Sequence, residues 1–165
     1  HKIDSYKIGK ELIQKLPKKN LKYAFVVSEG SFVNGSQLAI GMNSATENNI
    51  LITGALCGDG SRFQTTLSSY NEKPKEGELV AIGFYGDSLE VSFSTNGGWI
   101  PFGPERVVTK STDNILYELD GKPALDLYKT YLGEKSKDLP GAALLYPLKV
   151  KSLDETKSVV RTILN

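Results

Sequence analysis

The stretch from Gly97 to Gly133, GGWIPFGPERVVTKSTDNILYELDGKPALDLYKTYLG, decides the predicted fold. It begins at a corner in which Pro101 and Pro104 restrict φ while Gly103 is free to take a positive φ. These residue types predict a sharp turn of the chain. Trp99, the only tryptophan, stands just before the corner and is therefore held by a rigid segment.

After the corner, the residue pattern predicts a pair of strands. Residues 106–109 and 115–119 are rich in β-branched and aromatic residues, and Asp113 and Asn114 between them favour a turn. We therefore expect an antiparallel pair that leads into the turn at Asp120 and Gly121.

The clearest helix is predicted over residues 123–132. Asp120 can cap it, Pro123 suits its first turn, and Gly133 stands where a glycine cap ends a helix. Five apolar residues recur at helical spacing and form one stripe: Ala124, Leu125, Tyr128, Tyr131 and Leu132. We expect this stripe, with Leu125 as a core residue, to pack on the sheet beside the Trp99 corner.

The first half of the chain alternates between helix and strand patterns. Helices are predicted over residues 6–16 and 33–44, and buried strands over residues 23–27 and 50–52. This order is typical of a β-α-β crossover with parallel strands. The glycine-rich segment 54–61 then follows a strand, at the edge where open α/β sheets often bind ligands.

The middle of the chain predicts antiparallel strands at residues 63–69, 79–85 and 89–94, with a polar loop at 71–77. Residues 134–138 are expected to form a mobile charged loop. The fold class is therefore α/β or α+β. We expect a mixed, largely antiparallel sheet, or two stacked sheets, flanked by about three helices.

Composition excludes several classes of protein. The 165 residues carry 20 Lys and Arg against 19 Asp and Glu, which gives no basic footprint for nucleic acid. No apolar run is long enough to span a membrane. A single cysteine, Cys57, excludes an internal disulfide, so we expect a cytoplasmic protein.

Several motifs in a fixed order resemble the amino-terminal half of the FIST domain, a sensory module of signal-transduction proteins. The resemblance covers roughly residues 20–150 and rests on the ordered set, because no single motif is diagnostic. Its residues are Ile52-Thr53-Gly54-Ala55-Leu56-Cys57-Gly58-Asp59, then Gly98-Trp99-x-Pro101-x-Gly103-Pro104, then Val108-Thr109, Glu118-Leu119-Asp120-Gly121-x-Pro123-Ala124, Tyr128-x-x-Tyr131-Leu132-Gly133 and Tyr146-Pro147-Leu148.

The resemblance implies a domain that binds a small molecule, with amino acids as the favoured ligands, and passes its state to a signalling partner. F-box relatives in the family imply an alternative, a protein-interaction scaffold. Some members are reported as haem-containing gas sensors. Haem needs an axial ligand, and discarding His1 leaves no histidine, so we expect no cofactor.

The resemblance also predicts the domain organisation. Residues 1–20 lead into the domain, residues 21–150 form the FIST N-like sensory domain, and residues 151–165 begin a carboxyl-terminal half that continues in a longer protein. Residues 158–164 have strand composition and no obvious partner after them. Because an open β edge recruits partners, we expect this strand to pair either with the sheet of its own chain or with a neighbouring molecule, and we favour self-association.

Five residues are predicted to bind the ligand. Trp99 is an aromatic on a rigid turn, Arg106 can clamp a carboxylate, and Asp59 with Gly58 lies on the flexible loop. Thr109 could supply a hydroxyl. Each has a structural alternative: a core plug for the tryptophan, a surface strand residue for the arginine, and ordinary turn or strand roles for the others.

No catalytic or metal-binding constellation is visible. Nucleophilic triads need a base that is normally histidine, and clustered metal ligands are lacking. Cys57 is expected to be a small buried residue, with a redox thiol or a soft axial ligand as the alternative. We expect no enzymatic activity. The alternative is an enzyme of unassigned chemistry on a hydrolase-like layered fold.

Overall fold

The computed structural model describes residues 4–46, 50–152 and 158–163. The chain divides into two compact units, His1–Ser94 and Thr95–Asn165, and each is described by itself. Both units contain helices and strands, so the predicted mixed α/β class is confirmed.

The first unit contains α1 (Ser5–Gln14), β1 (Leu21–Ser28), α2 (Gly35–Ser44), β2 (Leu51–Leu56) and β3 (Leu79–Tyr85). Its sheet has the order β2-β1-β3, with β1 parallel to β2 and antiparallel to β3. The predicted helix-strand-helix-strand order and the parallel pairing are therefore confirmed.

The core of the first unit lies between one face of this sheet and the two helices. Ala24 and Val26 of β1 are buried against Ile13 of α1 and against Leu38 and Met42 of α2. Alternate residues of a strand point to opposite faces, so Phe25, Ile82 and Phe84 lie on the other face. All three are more than a third exposed.

Two glycines bring α1 and α2 into backbone contact. A Cβ atom at Gly41 would lie 2.8 Å from the carbonyl carbon of Tyr6, and one at Gly9 would lie 3.1 Å from the backbone nitrogen of Met42. Real Cβ atoms do not approach backbone atoms at the shorter distance. The glycine at 41, which lowers helix propensity, is therefore required by the helix crossing.

The second unit contains β4 (Val108–Thr112), β5 (Ile115–Leu119), β6 (Lys122–Pro123), α3 (Ala124–Leu132), β7 (Leu148–Lys151) and β8 (Ser158–Arg161). Two 3₁₀ helices, Gly133–Asp138 and Gly141–Leu145, follow α3. The first sheet has the order β4-β5-β6, and β7 pairs with β8 in a second. The predicted corner is confirmed by the φ of +81° at Gly103.

Three predicted segments have a different structure. Residues 63–69 contribute only an isolated bridge, between Ser68 and Lys75, because the backbone N–H groups of residues 63–65 bind the carboxylate of Asp59 instead of a neighbouring strand. Residues 89–94 are not a strand, and they pair with no strand in the described ranges. Residues 134–138, predicted as a charged loop, lie within the first 3₁₀ helix.

The helix α3 corrects two further expectations. Pro123 is its N-cap and pairs with β5, so it does not lie in the first turn, and the Asp120 side chain binds Arg106 and Val107 instead of capping the helix. Leu125 is 53% exposed, so its prediction as a core residue is wrong. The apolar spacing identified the helix, and Gly133 ends it as predicted.

The carboxyl-terminal strand has a partner within the chain. Val159 and Val160 of β8 pair antiparallel with Val150 and Lys149 of β7. Pairing within the chain, one of the two expected outcomes, is therefore observed, and the predicted self-association stays a prediction. Residues 164 and 165 lie outside the described residues.

Candidate functional site

The loop that follows β1 is built around a buried carboxylate, Glu29, which is only 1% exposed. Its Oε2 accepts a hydrogen bond from the backbone N–H of Ser31 at 2.9 Å, and its Oε1 accepts one from Phe32 at 2.8 Å. A buried charge is stable only when such donors replace water. Glu29 therefore holds the loop that leads into α2.

Thr66 joins this loop to the segment that follows β2. The backbone N–H of Gly30 donates to Oγ1 of Thr66 at 2.8 Å, and the Thr66 hydroxyl lies 3.4 Å from Oε2 of Glu29. The N–H of Cys57 also donates to the carbonyl of Ser28 at 2.7 Å. The carboxyl ends of the parallel strands β1 and β2 are therefore tied together, at the edge where open sheets often bind ligands.

Sequence reasoning missed Glu29, because the strand predicted over residues 23–27 ends just before it and the sequence analysis assigns it no role. The signal was an acidic residue placed directly after a buried apolar strand. Glutamate is rarely fully buried unless it is paired or hydrogen-bonded, so such a position predicts a structural or functional carboxylate.

Asp59 organises the glycine-rich loop in which it was predicted. Its carboxylate accepts backbone hydrogen bonds from Phe63 at 2.9 Å, Gln64 at 2.8 Å and Thr65 at 3.0 Å. The hydrogen bonds from Thr65 and then Gln64 are the main cause of a pKa lowered from 3.8. Asp59 thus has a structural role in its own loop, and its role in ligand binding stays a prediction.

The same loop leaves space beside its glycines. A Cβ atom at Gly58 or Gly60 would meet nothing within 4 Å, and Gly60 has a φ of +75°. Glycine at 60 is therefore required by the backbone conformation and not by crowding. Cys57, next to Gly58, is a half-buried free thiol and not a fully buried one.

A cleft of about 360 Å³ lies in the first unit, between α1, β3 and the segment of residues 69–78 that precedes β3, here called the hairpin loop. Ligand pockets commonly have volumes of about 300–1,000 Å³. Its aliphatic wall is supplied by α1 and β3, and its polar rim by the hairpin loop and the end of α1. The lining residues are Leu12, Lys15, Leu16, Ser69, Tyr70, Glu72, Lys75, Glu78, Leu79, Val80 and Ala81.

Three charged residues on the hairpin loop form the rim. The ammonium of Lys75 lies 3.2 Å from Oε2 of Glu72 and 3.3 Å from Oε1 of Glu78. The hydrogen bond to Glu72, and then that to Glu78, raises the pKa of Lys75, so this group stays charged at neutral pH. Paired backbone hydrogen bonds between Ser68 and Lys75, at 3.2 and 3.3 Å, close the loop.

Sequence reasoning predicted this loop but did not recognise a site there. The signal was the alternating charge of Glu72, Lys75 and Glu78 at intervals of three residues, followed at once by the apolar strand β3. Such a segment places charges beside an aliphatic surface, which is the composition of a small-molecule pocket.

In the second unit, Arg106 binds groups of its own chain. Its Nη1 lies 3.1 Å from Oδ2 of Asp120, and its Nη2 lies 3.1 Å from the hydroxyl of Tyr131. These hydrogen bonds, that to Tyr131 first, raise the pKa of Arg106. The pKa of Asp120 is lowered, first by the N–H of Val107, which lies 2.8 Å from Oδ1, and then by Arg106.

Thr109 contacts the same turn, because its Oγ1 accepts a hydrogen bond from the N–H of Gly121 at 2.9 Å. Arg106 and Thr109 are thus brought together around the Asp120–Gly121 turn. Trp99 lies in the same unit, on a segment without helix or strand, and is 49% exposed, so it is not a buried core plug. Asp59 and Gly58 belong to the first unit.

Among the described residues, no group of three or more His, Cys, Asp or Glu is arranged to hold a metal ion. Over those same ranges, no helix combines the length and the apolar character that crossing a bilayer demands.

The family model of the FIST N domain matches residues 1–122 of the chain, which is most of its 165 residues. The chain belongs to the FIST N family. FIST domains are sensory domains of signal-transduction proteins, and the match includes the whole first unit and ends just before α3. Comparisons with curated proteins and with solved structures found no match.

Within this FIST N domain, the matched residues include the Glu29 loop, the Asp59 loop and the cleft, together with Trp99, Arg106 and Thr109. The resemblance seen in the sequence is therefore confirmed at the level of the family. The predicted domain limits of 21–150 and the five predicted ligand-binding residues stay predictions.

Proposed function

We propose that this FIST N domain is a small-molecule sensor without enzymatic activity, and that its ligand, an amino acid, occupies the cleft between α1 and β3. The single observation that carries the proposal is the cleft itself, a ligand-sized cavity with an aliphatic wall and a charged rim. We also propose that the protein is cytoplasmic, because a free thiol such as Cys57 persists in that compartment.

The lining suits an amphipathic ligand with charges of both signs. Leu12, Leu16 and Leu79 offer apolar surface to a side chain, while Lys15 and the rim carboxylates offer partners to a carboxylate and an ammonium. A free amino acid presents these groups on a compact body. The hydrogen-bonded Glu29 and Asp59 serve instead as the scaffold of the neighbouring loops.

A thermal-shift screen over the common amino acids tests the proposal. A ligand at 100 times its Kd stabilises the folded state by about 2.7 kcal/mol. For a chain of this size, each kcal/mol raises Tm by roughly 2–4 °C. We expect at least one amino acid to raise Tm in proportion to the logarithm of its concentration. A screen in which none does so would refute the amino-acid proposal.

A pair of variants locates the site. Leu16→Glu places a charge on the aliphatic wall and should abolish the ligand-induced shift. Ile40→Glu introduces the same charge on the exposed surface of α2, outside the cleft, and should preserve it. If both variants lose the ligand-induced Tm shift equally, the introduced charge acts by destabilising the fold and not by blocking the cleft.

A second candidate function is a protein-interaction scaffold, favoured by the exposed apolar face of the first sheet. Phe25, Ile82 and Phe84 all lie on it, and exposed apolar patches commonly mark interaction sites. This alternative predicts no ligand-induced shift in Tm and loss of partner binding in Ile82→Lys. The same screen therefore separates the two functions.

A further inference from the structure

We infer that the cleft selects its ligand by a primary ammonium group attached to an aliphatic chain, so that simple alkylamines are sufficient ligands. This inference rests on the proposed ligand site in the cleft, but not on the ligand being an amino acid. It follows from the combination of the cavity, its aliphatic wall and the charges on its rim.

The rim carries an excess of negative charge on one side of the cavity. Glu72 and Glu78 share the single ammonium of Lys75, so two carboxylates are balanced by one cation there. Each ion pair uses one oxygen of its carboxylate, Oε2 of Glu72 and Oε1 of Glu78. A carboxylate accepts several hydrogen bonds, so both groups retain acceptor capacity for a second ammonium.

A ligand that presents a carboxylate to this rim would be repelled by its negative charge. It would compete with Glu72 and Glu78 for Lys75, and like charges in contact are unfavourable. Lys15 lies on the α1 side of the cavity and is the cation left for an anionic group. The rim therefore favours the ammonium end of a ligand, and any carboxylate is directed toward α1.

The wall defines the rest of the ligand. Leu12 comes from α1, Leu16 follows the C-cap of that helix, and Leu79, Val80 and Ala81 come from β3, so the surface below the rim is aliphatic. Burying an alkyl chain there removes apolar surface from water. Tyr70 adds an aromatic ring beside the charged rim, and such rings attract ammonium groups.

Three probes with five-carbon skeletons test the inference: n-pentylammonium, pentanoate and L-norvaline, which carries both charges. Titration calorimetry or amide chemical shifts measured by NMR on the full chain give each Kd. We expect pentylammonium and norvaline to bind, with pentanoate at least five-fold weaker than pentylammonium. Raising the salt concentration should weaken pentylammonium binding, because the rim is partly exposed.

The double variant Glu72→Gln, Glu78→Gln removes the negative charge but keeps the size of the side chains. We expect it to weaken pentylammonium binding at least five-fold. Glu76→Gln is the matched control, because Glu76 lies in the same loop, is exposed and does not line the cavity. Circular dichroism of each variant confirms that the fold is retained.

The outcomes separate this inference from the proposed function. Norvaline binding without pentylammonium binding would overturn the inference and leave the amino-acid proposal standing. Pentylammonium binding without any amino-acid ligand would support the inference and refute the amino-acid proposal. If no probe binds, both the inference and the amino-acid proposal are refuted. The inference is also refuted if pentanoate binds as tightly as pentylammonium. It is refuted as well if Glu76→Gln weakens pentylammonium binding as much as the double variant does.

Discussion

Oε1 of Glu29 lies 2.8 Å from the backbone nitrogen of Phe32, inside a loop where the carboxylate has almost no access to water. Glu29→Ala should therefore lower the free energy of unfolding by about 2–5 kcal/mol, because three donors lose their acceptor. Glu29→Gln keeps one oxygen and should cost less. Urea denaturation measures both, and Glu76→Ala in an exposed loop should change stability by less than about 0.5 kcal/mol. A Glu29→Ala variant whose free energy of unfolding is almost unchanged would contradict this role.

The crossing of α1 and α2 gives a second prediction. Gly41→Ala introduces a Cβ against the carbonyl of Tyr6, and such overpacking typically costs about 1–3 kcal/mol. Gly58→Ala is the control, because a Cβ there meets open space. Thermal unfolding should show a clear decrease in Tm for the first variant only. Equal Tm values for the two variants would mean that the helices separate at little cost.

The third prediction concerns pH and Asp59. Since hydrogen bonds lower its pKa from 3.8, its stabilisation of the loop is complete above that value and is lost as pH falls through the lower, folded-state pKa. The amide resonances of Phe63, Gln64 and Thr65 should titrate together with a midpoint below 3.8. In Asp59→Asn this titration should vanish. A midpoint above 3.8 would show that the carboxylate is not held by these amides.

The fourth prediction separates two locations of the ligand. If the residues predicted from sequence border the site, Trp99→Phe and Arg106→Ala should weaken ligand binding. If the ligand occupies the cleft between α1 and β3, both variants should bind normally, and Leu16→Glu should not. Affinities from titration calorimetry decide between the two sites. We expect the ligand to bind in the cleft, because Arg106 already binds Asp120 and Tyr131.

The fifth prediction concerns self-association through the carboxyl-terminal strands. Two paired strands of four residues each are marginal in water, and Val159 and Val160 of β8 are both more than a third exposed. We expect the chain to exceed its monomer mass of 18.0 kDa at high concentration. Light scattering over a concentration series measures this, and removal of residues 152–165 should restore the monomer. A chain that stays monomeric throughout would count against association.

The sequence predicted the two helices and the three-stranded sheet of the first unit well because their signals are local. The apolar run of residues 23–27 identifies the strand β1, and the helical spacing of apolar residues in α1 identifies that helix. Gly133 likewise ended α3 as predicted. These features depend on residues that are close in sequence, so a single sequence is enough to predict them.

The failures arose where a distant partner decides the structure. Residues 63–69 have strand composition, but the Asp59 carboxylate binds their first amides. Periodicity placed Leu125 on the apolar stripe of a helix, yet no pattern within the helix states whether anything covers that stripe. The cleft was missed for the same reason, since its two walls are separated by more than fifty residues.

The glycine contacts between α1 and α2 have a mechanical consequence. Where side chains separate two helices, rotamer changes can accommodate a small displacement of one helix. Where backbone atoms are in contact, no side chain lies between the helices to adjust in this way. Leu12 on α1 lines the cleft, while Gly9 and Gly41 bring α1 and α2 together. We therefore expect an occupant of the cleft that displaces α1 to displace α2 with it, as one rigid pair.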